Sequence, residues 1–304
     1  MVKGNKIWLN GKIVDWDEVK VHIISDTFSY GYGVFEGIRC YNTPQGRAVF
    51  RLREHMERLI NSGRVLFLNI PYSRDELVEA VREAVRSNDF EECYIRPMVY
   101  VSTYAESTWD FRKAAVDAAI AVWDWGIYIN ESALTEGIRV KTTSYTRHHV
   151  NIHMTKAKAN ANYLNFILAR GEALRSGFNE ALLLDVNGCV AEGPVENVFM
   201  VKRGELITPP ITFILEGITR DSVLTLARDL GIRCREELFT RDQLYTADEV
   251  FFAGTAAELT PVCDVDYIRI GSGKPGPITQ KLSGLFFDVV HGKESVYSKW
   301  LTLV

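Results

Sequence analysis

The sequence has few of the features that mark secreted, membrane-spanning or nucleic-acid-binding proteins. Its five cysteines are scattered over 304 residues with no C-x-x-C pair, which argues against a disulfide framework or a zinc knuckle and favours a reducing compartment. No run of eighteen apolar residues occurs, and the opening MVKGNKIWLNGKIVDW lacks the apolar core of a signal peptide. A formal charge of -4 without a basic run argues against general nucleic-acid binding. We therefore expect a cytoplasmic protein.

The composition that is present is typical of a globular chain of two domains. Hydrophobic residues make up 47% and charged residues 24% of the sequence. Helix-like and strand-like segments are mixed along the chain, without an internal repeat. We expect a mixed α/β fold with a small N-terminal domain over residues 1–123, a polar connection over 124–137 and a larger C-terminal domain over 138–304.

Local signals predict several elements within these domains. The Asn-Gly pairs at 10–11 and 187–188 each lie between apolar segments and predict two β-hairpins. A helix is expected over 53–63, and a second one begins near Ser73, which has the capping-box spacing to Glu76.

Two lysines stand in front of a clear helical run in NIHMTKAKANANYLNFILA, residues 151–169. Lys156 and Lys158 are two positions apart, a spacing that sends side chains to opposite faces of a strand and about 200° apart on a helix. We therefore expect at most one of these two lysines to face a given pocket. Spacing alone does not choose between them.

Three turns are built to let backbone approach a ligand closely. GYGVFEG misses the dinucleotide fingerprint because its glycines, Gly31, Gly33 and Gly37, are spaced G-x-G-x-x-x-G, and it favours a tight turn instead. In GITRDSVLTLARDLG, Thr219 opens an amphipathic helix, as part of an anion site or as a plain N-cap. Thr255 lies in a second tight turn, GTAAE.

A histidine group follows the predicted strand RVKTTSYT. His148, His149 and His153 form H-H-x-x-x-H, and a helix would put the last two on one face. No helix signal precedes Lys158 and no acidic ligand is near, so we expect a loop near the site and no metal.

Seven segments in order carry a family resemblance: SYGYGVFEGIRCY, REHMERL, YIRP, KANANYLNFILA, LDVNGCVAEGPVENVF, GITRD and GTAAELTPV. Together they resemble the branched-chain amino acid aminotransferases, which are fold-type IV pyridoxal phosphate (PLP) enzymes. The resemblance runs from about residue 6 to about residue 290. It implies a two-domain fold with PLP at the domain interface, and a homodimer with a shared active site or a higher oligomer.

By position, the resemblance assigns the residues that contact the cofactor ring. The family's Schiff-base lysine lies four residues before the Asn-Tyr-Leu triplet, which gives Lys158 and leaves Lys156 as a solvated lysine. Glu192 matches the partner of the pyridine nitrogen, with Glu196 as a rival. Tyr163 matches the hydrogen-bond partner of the phenolic oxygen.

The resemblance also assigns the phosphate and substrate contacts. Arg58, the backbone of Ile218, Thr219 and Thr255 match the phosphate cradle. The predicted substrate contacts are the carboxylate-binding set Tyr94, Arg96, Ala256 and Ala257, the apolar wall Phe35, Gly37, Trp125 and Tyr128, and Tyr30 from the neighbouring subunit.

The implied reaction is ping-pong transamination of leucine, isoleucine or valine with 2-oxoglutarate, giving 2-oxo acids and L-glutamate. The segment 103–115, with Trp109, Phe111 and Arg112, departs from the family pattern, which leaves substrate range open. Arg147, His148 or His149 could touch the acceptor. The alternatives are a D-amino acid or (R)-amine transaminase, an aminodeoxychorismate lyase of the same fold, and a non-catalytic binding protein.

Overall fold

The computed structural model describes residues 1–102, 115–126 and 132–304. The predicted contact Tyr128 and the unusual segment with Trp109, Phe111 and Arg112 lie outside the described residues. In the parts described, no helix is both long and apolar enough to span a bilayer. The chain forms two compact units, one of residues 1–126, 156–162 and 288–304, the other of residues 127–155 and 163–287.

The first unit is built on one antiparallel sheet covered by helices. Its helices are α1 (Asp26–Tyr30), α2 (Leu52–Val65) and α3 (Arg74–Arg86). Its strands are β1 (Val2–Leu9), β2 (Lys12–Asp15), β3 (Gly33–Phe35), β4 (Ile38–Thr43), β5 (Gly46–Phe50), β6 (Cys93–Val101), β7 (Val116–Asp124) and β17 (Leu301–Leu303). Strand order is β17-β5-β4-β6-β7-β1-β2, and β3 pairs with β6.

The local signals of this unit are confirmed. Asn10 and Gly11 both have positive φ, 48° and 86°, as the two-residue turn between β1 and β2 requires. Ser73 accepts from the backbone of Glu76, whose carboxylate accepts from the backbone of Ser73, so α3 has its capping box. One apolar face of α2, with Leu52, Met56 and Leu59, is buried in the core of this unit.

The second unit contains a closed ring of strands. Its strands are β8 (Ile138–Thr142), β9 (Glu180–Leu184), β10 (Val190–Glu192), β11 (Asn197–Lys202), β12 (Glu205–Thr208), β13 (Cys234–Glu236), β14 (Glu249–Gly254), β15 (Glu258–Val265) and β16 (Ile268–Arg269). The sheet order is β10-β9-β8-β15-β14-β11-β12-β13, and β10 also pairs with β11, so six strands close on themselves. Its helices are α4 (Ala133–Glu136), α5 (Tyr163–Arg175), α6 (Ile218–Asp229), α7 (Arg241–Tyr245) and α8 (Pro277–Val290), of which the last turn belongs to the first unit.

The observed units differ from the two continuous domains that the sequence predicts, and the difference lies in two segments. Residues 156–162 and 288–304 belong to the first unit, although the sequence predicts both segments within a C-terminal domain over 138–304. Hydrogen bonding explains the difference. The backbone N–H of Phe35 donates to the carbonyl of Lys158 (3.0 Å), and β17 pairs antiparallel with β5. Both pairings join residues far apart in sequence, which local patterns do not report.

Candidate active site

Lys158 lies in an irregular segment that is held in the first unit by backbone hydrogen bonds. Its N–H donates to Ser62 Oγ of α2 (3.0 Å), and Val34 forms an antiparallel bridge with the next residue, Ala159. Its ammonium group, Nζ, stands 5.1 Å from the centre of the Phe35 ring. Burial first, and then the nearby guanidinium of Arg58, lower its pKa to about 8. The amine is therefore partly unprotonated near neutral pH.

Arg58 is held by a carboxylate that the sequence analysis overlooked. Glu36 is wholly buried and binds Arg58 at two points, Nε to Oε1 (2.6 Å) and Nη2 to Oε2 (2.8 Å). His55, one turn before Arg58 on α2, lies 2.7 Å from Glu36 Oε2 through Nδ1. Burial alone would raise the pKa of Glu36, but Arg58 and His55 outweigh it and hold that pKa well below its usual range.

In the group formed by Glu36, Arg58 and His55, the imidazole of His55 is neutral. Burial lowers its pKa despite the facing carboxylate of Glu36, so Nδ1–H donates to Glu36. A signal for the group was present in the sequence, because His55 and Arg58 are three apart and share a helix face. The glutamate of VFEG could not be paired with them before the fold was known.

Arg96 forms a second cationic position in the first unit. Its guanidinium lies over the rings of Phe35 (4.7 Å), Tyr94 (5.3 Å) and Trp123 (5.5 Å), and Nη2 is 3.3 Å from Tyr94 Oη. Its Nε is buried and has no hydrogen-bond partner among the described residues. A half-buried guanidinium with an unused donor is suited to a carboxylate ligand.

Glycine is required at position 37 beside this cation. A Cβ there would stand 2.0 Å from Tyr94 Oη, so any side chain would displace the phenol. Trp125 packs edge-on against Tyr94 at 4.2 Å. The structure thus brings together Lys158, Arg58, Phe35, Gly37, Tyr94, Arg96 and Trp125 of the predicted site, all in the first unit. Tyr30, at the end of α1, is 60% exposed.

Glu192 ends strand β10 in the second unit and is almost fully buried. Arg147 donates through Nε to Oε1 (2.5 Å), while Asn197 Nδ2 and the backbone N–H of Leu215 donate to Oε2 (3.2 Å each). Three donors, one of them a cation, keep this carboxylate ionised in its buried position. Glu192 can therefore act as an anionic hydrogen-bond acceptor.

Glu196, the rival of Glu192, has a different environment. Its Oε2 accepts from the backbone N–H of Val195 (3.1 Å), and its Oε1 is buried without a hydrogen-bond partner among the described residues. Burial, and next the nearby carboxylate of Glu180, raise its pKa well above the ordinary range. Its ionised form is thus disfavoured, and Glu196 is less suited than Glu192 to hold a cation.

The start of α6 has the form of an anion cradle. Gly217, and not Thr219, is the N-cap, and no side chain caps this end. A Cβ on Gly217 would lie 1.9 Å from Asn197 Oδ1. Ile218 and Thr219 therefore occupy the first turn of a twelve-residue helix, where backbone N–H groups lack helical partners.

The other predicted contacts of the second unit occupy two separate elements. Thr255, Ala256 and Ala257 connect β14 to β15 as a tight turn. Tyr163 begins α5 and packs edge-on against Phe166 at 5.3 Å. The histidines lie in irregular turns, with His148 and His153 rings 5.2 Å apart. Within the described ranges, no cluster of histidine, cysteine and acidic residues suits a metal ion.

Known proteins resemble the chain over most of its length. Residues 33–265 match the family model described as amino-transferase class IV. A branched-chain-amino-acid aminotransferase of Pseudomonas aeruginosa is 49% identical over 300 residues, covering 98% of this chain and 97% of that one.

Two crystal structures superpose on the chain over nearly its full length. The branched-chain aminotransferase of Thermoproteus uzoniensis, crystallised with norvaline, has a TM-score of 0.93 at 45% identity, covering 98% of this chain and 99% of that one. The T.th. branched-chain amino acid aminotransferase, crystallised with pyridoxamine 5'-phosphate, has a TM-score of 0.96 at 44% identity, covering 100% and 99%.

Proposed function

We propose that this chain, which belongs to the class IV aminotransferase family, transfers the amino group of leucine, isoleucine and valine to 2-oxoglutarate. The products are the branched 2-oxo acids and L-glutamate. One observation carries the proposal: the Nζ of Lys158 stands 5.1 Å from the Phe35 ring and near Arg58, the arginine predicted to bind phosphate, and its pKa is lowered to about 8. An amine that titrates near neutral pH can act both as a nucleophile and as a base.

The donor set fits pyridoxal 5'-phosphate. Arg58 and the backbone N–H groups in the first turn of α6, with Thr219 and Thr255, suit its phosphate. The ionised carboxylate of Glu192 suits a protonated ring nitrogen, and Tyr163 suits the phenolic oxygen. When bound, this group supplies an aldehyde that carries the amino group and a ring that absorbs the electrons released at the substrate Cα.

Lys158 moves the proton in this reaction. Its unprotonated Nζ would hold the cofactor through the aldehyde, and the same amine would accept the proton from the substrate Cα. Because Lys158 is fixed by its backbone to Ser62 and Phe35, its side chain alone has to swing between these tasks. The 2-oxo acid leaves before 2-oxoglutarate enters, so the kinetics are ping-pong.

Arg96 and its neighbours recognise the substrate. The buried Nε of Arg96, lacking a partner among the described residues, binds a carboxylate, with Tyr94 and the turn of Ala256 and Ala257 as further contacts. Phe35 and Trp125 provide an apolar surface for a branched side chain. Gly37 leaves the space beside Tyr94 open.

A homodimer, or a higher oligomer built from it, accounts for exposed apolar side chains in both units. The exposed apolar side chains of the first unit include Ile23, Phe28 and Tyr30, and those of α5 in the second unit include Leu164, Ile167 and Leu174. A partner subunit would cover such side chains and would allow Tyr30 to contribute to a shared site. All five cysteines are free thiols, which supports a cytoplasmic location.

A half-reaction panel tests the proposal. The PLP-loaded enzyme is mixed separately with L-leucine, L-glutamate, D-alanine and an (R)-arylamine, and the visible absorbance of the cofactor is followed. L-leucine and L-glutamate should discharge it within a turnover. Discharge by D-alanine or the arylamine but not by L-leucine would instead favour the D-amino acid or (R)-amine transaminase. Formation of pyruvate from aminodeoxychorismate would identify the lyase.

A further inference from the structure

Arg147 is a buried cation that the proposed mechanism does not use. It is 2% exposed, and its backbone N–H donates to the Leu184 carbonyl (2.7 Å). The side chain is committed to Glu192, with a distance of 2.5 Å from Nε to Oε1. A guanidinium held this way is not available to a substrate acceptor, which was the role left open for it.

Two rings fix the orientation of this guanidinium. Arg147 lies over Phe166 at 4.8 Å from the ring centre, and its Nη1 contacts the ring nitrogens of His148. Burial first, then Arg147 and His153, lower the pKa of His148 to about 3, so that imidazole is neutral and can accept from the guanidinium. Arg147 is thus the only charged member of this contact group besides Glu192 within the described residues.

The same stacking links Arg147 to a second predicted cofactor contact. Phe166, which supports the guanidinium, packs edge-on against Tyr163 at 5.3 Å. Tyr163 and Phe166 are both on the first turn of α5. One arginine therefore touches the partner of the ring nitrogen directly and the partner of the phenolic oxygen through a single aromatic side chain.

We propose that Arg147 is a positioning residue that keeps Glu192 ionised and oriented toward the ring nitrogen of the cofactor. The proposal rests on the proposed function, because it takes Glu192 as the partner of that nitrogen. A carboxylate buried without a cation would take up a proton, and a neutral acid holds a pyridinium poorly. Arg147 supplies the compensating charge from the protein side.

The test compares two cofactors that differ at a single atom. PLP and 1-deazapyridoxal 5'-phosphate, in which C–H replaces the ring nitrogen, are titrated into the apoenzyme and into Arg147→Gln. Both carry the aldehyde and the phosphate, so contributions from Lys158 and Arg58 cancel. We expect Arg147→Gln to weaken PLP binding by about tenfold or more and to change binding of the analogue by less than about threefold. Equal weakening of both would overturn the proposal, since a merely structural arginine would act on both alike.

One further variant, Glu192→Gln, separates this inference from the assignment of Glu192. Glu192→Gln should abolish the preference of the wild-type protein for PLP over the analogue. If the preference survives, Glu192 is not the partner of the ring nitrogen, and the cofactor assignment fails together with the inference. If it disappears while Arg147→Gln leaves it intact, only the inference about Arg147 fails.

Thermal unfolding of the apoenzyme guards against a folding defect. Arg147→Gln leaves a buried carboxylate uncompensated, so the double variant with Glu192→Gln should melt above the single variant. Additive losses would show that the two residues are uncoupled and would overturn the proposal.

Arg139→Gln is the matched control for the cofactor titrations. Arg139 also stacks on a phenylalanine, Phe178 at 4.9 Å, and lies 4.0 Å from Asp264. The Arg139→Gln variant should leave the preference for PLP over the analogue unchanged.

Discussion

Two buried carboxyls, one in each unit, have neighbours of opposite charge. In the first unit, Glu36 belongs to a cationic cluster with Lys158, Arg58 and Arg96, and the pKa of Glu36 lies well below its usual range. In the second unit, the carboxylate of Glu180 acts on Glu196 more strongly than any cation does, and the pKa of Glu196 lies well above that range. Burial depth is alike, since Glu36 is 0% and Glu196 3% exposed. Burial raises the pKa of both carboxyls, and only at Glu36 do neighbouring cations outweigh it and reverse the direction of the shift.

The largest effect is expected from removing the lysine of the cationic cluster. Lys158→Ala should abolish the cofactor's visible absorbance and reduce turnover by more than about a thousandfold, because the nucleophile and the base are both lost. Absorbance and steady-state rates measure this. Lys156→Ala, two residues earlier, is the control and should keep both properties. Loss of activity in the control with retention in Lys158→Ala would contradict the assignment.

Removing the single buried carboxylate of the cationic cluster should cost stability. Glu36→Gln leaves Arg58 buried without its counter-charge, and we expect a loss of about 3 to 5 kcal/mol in the free energy of unfolding, measured by urea denaturation. Glu54→Gln on the same helix removes the half-exposed partner of Arg51 and should cost less than about 1 kcal/mol. Equal losses would mean that Glu36 is not the counter-charge of this cluster.

The charged form of Lys158 should destabilise the folded protein, because burial and the nearby Arg58 both disfavour it. Its pKa in the folded protein is about 8 against an ordinary value of 10.5, so below about pH 8 the fold must hold a charge that it disfavours. Lys158→Met should therefore stabilise the apoenzyme by about 1 to 3 kcal/mol at pH 7. The advantage should shrink as pH rises from about 8 to 10.5, where the wild-type lysine becomes neutral. Denaturation at a series of pH values checks this, and a destabilised variant at pH 7 would contradict it.

The smallest effect is expected at Glu196 in the second unit, where the carboxylate of Glu180 lies nearby. Because the pKa of Glu196 is raised in the fold, the wild-type protein loses stability as pH rises above the ordinary glutamate value of 4.5. Glu196→Gln should thus be more stable than wild type by about 1 kcal/mol at pH 7. The difference should vanish near pH 4. A variant that is less stable at pH 7 would show that Glu196 is ionised in the fold.

Local sequence predicted those features that depend on neighbours in the chain. The hairpin at Asn10-Gly11 and the capping box of Ser73 and Glu76 are confirmed because their hydrogen bonds join residues close together in the chain. The family was identified from seven short segments, and the comparisons confirm it. The roles of Lys158 and Glu192 came from that resemblance, and they stay predictions.

Tertiary structure alone decided which side chains face one another. Glu36 is 22 residues from Arg58, and Arg147 is 45 residues from Glu192. Neither pairing follows any helical or strand period, so no local pattern predicts it. The proton states of Lys158 and Glu196 depend on these long-range neighbours, because electrostatic energy follows distance in space and not separation along the chain. The sequence by itself determined the elements and the family, and the fold determined the charge that each buried group experiences.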